Sequence, residues 1–176
     1  MNAIELQIAG VKLLEDLSAS DFRGEFEVFW ESGEFFAAGI SFVPVSAYHS
    51  YNEKPWTLRG MHFQWAPHDQ AKLVSCVRGA VSDVVVDLRR DSPTYLRWIS
   101  AELSEASGQA LYIPHGCAHG FLTMQDHTTV AYLIEGDYCP EATGTLRWND
   151  PAVGIEWPTR DPILSERDRM APDFQP

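Results

Sequence analysis

The amino-acid sequence predicts an all-β protein, a sandwich or barrel, on two observations. Short runs rich in β-branched and aromatic residues, each bounded by Gly, Pro, Asn or Asp, recur along the whole chain. Helical periodicity is scarce. At 176 residues the chain is most economically a single domain, residues 1–176. That length buries roughly two thirds of the unfolded surface, so no disulfide or metal is needed to hold the fold.

Taken in order, the predicted strands run from Glu25 to Trp30, Ile40 to Val45, Thr57 to Trp65, Lys72 to Val77, Ala80 to Leu88, Arg97 to Leu103, Ala110 to Ile113, Gly120 to Met124 and Thr128 to Tyr132. Within "VSDVVVDL" the alternation is imperfect, with Ser82, Val84, Val86 and Leu88 on one face and Val81, Asp83, Val85 and Asp87 on the other. Two short peripheral helices are expected. Ser18 to Phe22 can make one turn, and "SERDRM" from Ser165 another, because Ser165 and Asp168 have capping-box spacing. Pro158, Pro162 and Pro172 prevent a long C-terminal helix, so the tail is expected to wrap over the surface.

Composition excludes several classes of function. The formal net charge is −12, with 13 Lys and Arg against 25 Asp and Glu, which argues against nucleic acid as a partner. A few cations focused in one cleft can still bind a small anion, and Arg23, Arg59 and Lys72 are candidates. No stretch approaches the ~18 apolar residues of a membrane span. The opening "MNAIELQIAGVKLLED" is broken by Glu5, Lys12 and Glu15, so no signal-peptide core is expected. The three cysteines, Cys76, Cys117 and Cys139, show no zinc-type spacing and read as reduced thiols in a cytoplasmic protein.

The residues capable of chemistry each have an ordinary reading. His62 in a strand can be a satisfied structural histidine. Strict alternation puts Arg59 on the opposite face, but Gly60 lies between them, and a glycine inside a strand marks a bulge that re-aims side chains. Lys72 can be a strand-end lysine reaching water, or a cation that stabilises negative charge on an oxygen. Tyr132 and Tyr138 can be core filling, and Asp168 a capping acid. In "IPHGCAHGF", Pro114, Gly116 and His119 form a P-x-G-x-x-H turn resembling the second motif of cupin barrels. The first-motif position reads "GMHFQ", with one histidine and Gln64 where a second ligand is needed, so no metal is expected. Taken together, a carboxylate that orients a histidine, a lysine and a phenol suit proton abstraction beside a carbonyl, without cofactor.

From "DFRGEF" to "ILSERDRMAP", through "LRGMHFQ", "QAKLVSCVRG", "VVVDLRRDSPTY", "LYIPHGCAHGF", "AYLIEGDYCPE" and "WNDPAVGIEWP", the chain resembles the dTDP-4-dehydrorhamnose 3,5-epimerase family. The resemblance implies a double-stranded β-helix, the cupin jelly-roll barrel, in a homodimer that exchanges N-terminal strands. It implies His62 as base, Asp168 as its orienting acid, Lys72 beside the keto oxygen and Tyr132 as the acid on the opposite face. Arg59, Arg23, His119, Gln64, Tyr138 and Phe26 are implied to bind a nucleotide-diphospho-sugar. Two places depart from the family pattern: Val28 stands where a Glu is usual, and Pro44 to Ser46 replace a Q-x-N segment. The nucleotide is therefore expected to be dTDP, with CDP or GDP as alternatives. Inversion at C3, at C5 or at both stays open, as do a 3,4-ketoisomerase and a non-catalytic sugar-nucleotide-binding cupin.

Overall fold

The computed structural model describes residues 1–175. Two hairpins open the chain: β1 (Asn2–Glu5) with β2 (Lys12–Glu15), then β3 (Ser18–Asp21) with β4 (Gly24–Glu27). A short helix α1 (Ser32–Ala37), capped by the Glu31 carboxylate on the amides of Gly33 and Glu34, leads to β5 (Ser46–Asn52). The barrel strands follow as β6 (Leu58–Gln64), β7 (Ala71–Arg78), β8 (Ala80–Asp87), β9 (Trp98–Ser104), β10 (Ala110–Ile113), β11 (Cys117–Thr123) and β12 (Thr128–Glu135). An edge strand β13 (Thr143–Thr145) and a one-turn helix α2 (Glu166–Arg169) complete the elements.

One sheet has the order β1-β2-β10-β7-β12-β5 and the other β13-β6-β11-β8-β9. The chain steps from sheet to sheet along β5, β6, β7 and β8, and again along β9, β10, β11 and β12. That path is the double-stranded β-helix of the cupin barrel.

Both sheets are covered on both faces. Val74, Cys76, Val81, Val85, Phe121 and Val130 fill the space between the sheets. Outside the six-stranded sheet, Leu73, Ala110 and Tyr112 pack under Leu17, Phe35, Ile40 and Phe42 from the N-terminal segments. Outside the five-stranded sheet, Met61, Val84, Val86 and Ala118 lie beneath Leu146, Val153 and Ile155 of the C-terminal segment. A two-sided strand needs apolar residues on both faces, which explains the imperfect alternation of "VSDVVVDL". Each of those valines contributes about 1.5–3 kcal/mol by burial. Among the described residues, no helix is long and apolar enough to cross a membrane.

Several expected elements differ. Ser18 to Phe22 is strand β3 and a turn instead of a helix, because the Asp21 carboxylate accepts the Arg23 amide and closes a hairpin onto β4. The run from Glu25 ends at Glu27, and Phe29 and Trp30 turn onto the core instead. Ile40 to Val45 is not a strand: Ile40 and Phe42 bury as anchors, and Pro44 has no amide to donate to a ladder. The strand there is the more polar "SAYHSYN" of β5. The helix at Ser165 forms where capping predicts it, with Ser165 Oγ accepting the Asp168 amide at 3.1 Å.

Candidate active site

The site is built on an irregularity in β6. His62 pairs directly with His119 of β11, but further along Arg59 pairs with Phe121, so Gly60 and Met61 together oppose Gly120. This is a bulge. Gly60 has φ +135°, and a Cβ on it would sit 2.6 Å from Gly120 Cα, so no larger residue fits. The extra residue reverses the parity of the strand. Arg59 therefore lines the same cavity as His62, a space of about 480 Å³ between the two sheets. Its Nε donates to Oδ1 of buried Asn52 at 2.7 Å, which fixes the guanidinium.

Asp168 reaches His62 because the tail is stitched to β6. Leu58 N donates to Ile163 O, and Ile163 N to Trp56 O, at 2.9 and 2.7 Å. The α2 turn then buries Asp168, only 3% exposed, with Oδ1 2.7 Å from His62 Nε2 and Oδ2 accepting the Gly60 amide at 3.4 Å. Burial raises the pKa of Asp168. The His62 hydrogen bond and charge, the Gly60 amide and Ser165 more than offset it, holding the carboxyl below its ordinary range. With Nε2–H donated to Asp168, the lone pair of His62 Nδ1 is the basic one.

The six-stranded sheet supplies the groups opposite. On β7, Lys72 occupies the inward face ahead of Val74 and Cys76, so the alternation that builds the core carries an ammonium to the cavity. Its Nζ donates to His62 O at 3.3 Å. Burial pushes its pKa down to about 8, against the attraction of Asp83. Tyr132 on β12 pairs with Val74 and Tyr48. Burial raises its phenol pKa, partly offset by the Ser50 hydroxyl and the Arg59 charge. His119, 6% exposed, holds both oxygens of the fully buried Asp83 at 3.0 and 2.9 Å through Nε2.

Of the expected site residues, this cavity gathers His62, Asp168, Lys72, Tyr132, Arg59 and His119. Tyr138 is 66% exposed and lines an adjoining cavity of about 380 Å³, together with Tyr48 and Gln70. Gln64 also borders that second cavity, but its side chain is committed to backbone: Nε2 donates to Asp137 O at 3.0 Å, and Oε1 accepts Cys139 N at 2.8 Å. It anchors the loop after β12 instead of presenting polar atoms to a ligand. Arg23 and Phe26 lie on the β3–β4 hairpin, outside both cavities, with Arg23 paired to Asp21 at 2.6 Å and Phe26 71% exposed.

Asp83, Asn52 and Arg167 have no role in the sequence reading. Asp83 carried a usable signal, since one carboxylate sits on the inward face with Val81 and Val85. Asn52 and Arg167 carried none, because their neighbours are distant in sequence.

A jelly-roll barrel whose mouth holds a His–Asp pair facing a lysine and a tyrosine is a cupin with an acid–base pocket. Known proteins with this combination give it a narrower placement. The chain belongs to the dTDP-4-dehydrorhamnose 3,5-epimerase family, whose model matches residues 5–176. A dTDP-4-dehydrorhamnose 3,5-epimerase of Sinorhizobium fredii is 44% identical over 172 residues, covering 96% of this chain and 87% of that protein. The crystal structure of the Bacillus anthracis enzyme with TDP and PPi bound superposes with a TM-score of 0.95 at 38% identity, covering 98% of this chain and 99% of that one. A 3'-monoepimerase of Streptomyces bikiniensis in complex with dTDP-quinovose gives a TM-score of 0.88 at 35% identity, covering 96% and 86%.

Proposed function

We propose that the protein epimerises a nucleotide-linked 4-keto-6-deoxy sugar at carbons beside its ketone, with dTDP as the nucleotide. The observation that carries this reading is the placement of His62 on one sheet, backed by Asp168 of α2, and of Lys72 and Tyr132 on the other, with a sugar-sized cavity between.

The chemistry follows from that placement. His62 Nδ1 removes the proton from C5 or C3, and the electrons of the C–H bond pass through the carbonyl to its oxygen. The enolate oxygen is held by the ammonium of Lys72. Asp168 stabilises the imidazolium that forms. The Tyr132 hydroxyl then donates a proton to the opposite face of the same carbon, inverting it. Solvent restores the phenol proton and takes the proton from His62. Burial suits Tyr132 to this part, because a raised pKa keeps it protonated across the physiological range.

The β3–β4 hairpin completes the site in a second copy of the chain. Among the described residues its strands pair only with each other and β5 ends the six-stranded sheet as an unpaired edge, while Phe22 and Phe26 of the hairpin are 97% and 71% exposed. A detached hairpin and a free edge fit strand exchange in a homodimer. Exchange carries Arg23 and Phe26 to the partner's cleft. The unpaired thiols fit a reducing cytoplasm.

Solvent-deuterium incorporation, followed by NMR with dTDP-, CDP- and GDP-linked 4-keto-6-deoxy sugars, tests the reading. Deuterium entering C3, C5 or both supports it and identifies the centre and nucleotide. A carbonyl that migrates instead identifies a ketoisomerase.

A further inference from the structure

The six-stranded sheet holds a buried amide that the proton transfers above leave unused. Asn52, the last residue of β5, is 2% exposed, and both polar atoms of its side chain are engaged. Oδ1 accepts Arg59 Nε at 2.7 Å, and Nδ2 donates to Ser50 O at 3.1 Å and Thr128 O at 3.3 Å, with Ser50 Oγ a longer contact at 3.5 Å. These partners leave the amide one orientation, because a guanidinium can only donate and a backbone carbonyl can only accept. Its N–H edge therefore faces Ser50 Oγ. That edge offers donors alone, so the proton of the Ser50 hydroxyl turns elsewhere.

Strand register gives its direction. Ser50 pairs with Val130 of β12, and Tyr132 follows two residues later on the same face of the sheet. There the Ser50 hydroxyl meets the Tyr132 phenol, and its hydrogen bond favours the ionised form against the burial that opposes it. The bonds then run one way: Arg59 donates to Asn52, Asn52 to Ser50, and Ser50 to Tyr132. A phenol oxygen that accepts from Ser50 keeps its own O–H free for another partner.

We propose that Ser50, held by Asn52, is a positioning residue for Tyr132: it fixes the phenol with its proton toward the reacting carbon and stabilises the phenolate left when that proton is given up. Ser50 keeps its own proton throughout, and solvent restores the one that Tyr132 loses. This inference rests on the proton-transfer reading above. It also gives the bulge at Gly60 a second consequence, because the turn that brings Arg59 to the cavity brings its Nε to Asn52.

The test measures deuterium wash-in and inversion separately on wild type, Ser50→Ala and Ser50→Thr. Tyr132 is titrated by NMR in tyrosine-labelled protein, its signal identified by loss in Tyr132→Phe. In Ser50→Ala, inversion is expected to slow about 10- to 100-fold, the worth of a hydrogen bond to a charged oxygen, while wash-in through His62 continues. The loss falls on kcat, with KM little changed. The Tyr132 midpoint moves up, because a donor to its ionised form is gone while Arg59 and Asp83, the charges that act on the phenol, stay in place. Ser50→Thr returns the hydroxyl and recovers both readouts. Wild-type inversion in Ser50→Ala with the Tyr132 titration unmoved overturns the inference. Equal loss of wash-in and inversion also overturns it, since that marks Ser50 as a residue that only supports β5. Wild-type protein that places no deuterium on any of the three nucleotide-linked 4-keto sugars overturns the proton-transfer reading itself.

Discussion

His62 depends on groups from distant parts of the chain: Gly60 in its own strand, Asp168 more than a hundred residues away, and Lys72 in the facing sheet. Asp168→Asn removes the carboxylate charge that stabilises the imidazolium and can turn an N–H toward the ring, favouring the other tautomer, and is expected to lower kcat about 10²- to 10⁴-fold with the fold retained. The same variant changes stability with pH. The Asp168 pKa is lowered in the folded state, so its contribution is present above the ordinary value of 3.8 and is lost as pH falls through the lower folded value. Thermal melts should therefore separate wild type from Asp168→Asn at neutral pH and converge in strong acid. Lys72 has the opposite sign. Its charged form is disfavoured by burial, so it costs stability below its folded pKa of about 8, and the cost fades as pH rises toward the ordinary 10.5. Lys72→Met is expected to melt a few degrees higher than wild type at pH 7, while losing turnover. In wild type, kcat/KM falls above pH about 8 as the ammonium titrates. Tyr132→Phe keeps the base and loses the opposite-face donor, so NMR should show solvent exchange without inversion. His62, Asp168, Lys72 and Tyr132 are all legible in the sequence through their motifs. Asn52 is not, because its partner Arg59 lies on another strand and nothing around it in the sequence marks it as buried; Asp83 is legible as an inward carboxylate, though its partner His119 is not.

At the scale of elements, the bulge in β6 makes the site possible. The glycine between Arg59 and His62 signals it in the sequence itself, because only a break in alternation can put both side chains in one cavity. Gly60→Ala forces a Cβ against Gly120 and is expected to cost about 1–3 kcal/mol of stability, with activity falling further than stability, as measured by chemical denaturation and turnover together. The barrel strands from β6 to β12 are readable because burial on both faces leaves dense apolar runs. Strand β5 is not, since "SAYHSYN" lies at an edge and is polar, while the apolar Ile40 and Phe42 before it are anchors in an irregular segment. The β3 segment misleads for a related reason: a four-residue hairpin strand without a core face carries no periodicity to read. The α2 turn is marked by Ser165, although its third residue turns its carboxylate to His62 and Gly60.

For the whole molecule, one chain shows the acid–base groups together, while Arg23 and Phe26 lie outside both cavities. If the hairpin acts in the partner's cleft, dimers mixed from His62→Ala and Arg23→Ala chains contain one intact site, and activity returns on mixing two weak proteins. If Arg23 acts in its own chain, mixing restores nothing. The charge of −12 makes the surface repel anions generally, so any attraction for an anion has to come from cations focused in the cavity, where Arg59 and Lys72 lie. Everything proposed for the cavity rests on stepwise proton transfer beside a ketone with His62 as the base, and solvent-deuterium wash-in by NMR reads that transfer itself. Wild-type protein is expected to place deuterium at C3, C5 or both of a nucleotide-linked 4-keto-6-deoxy sugar, and His62→Ala to place none. Exchange that persists undiminished in His62→Ala, or that is absent from wild type with all three nucleotides, would contradict it.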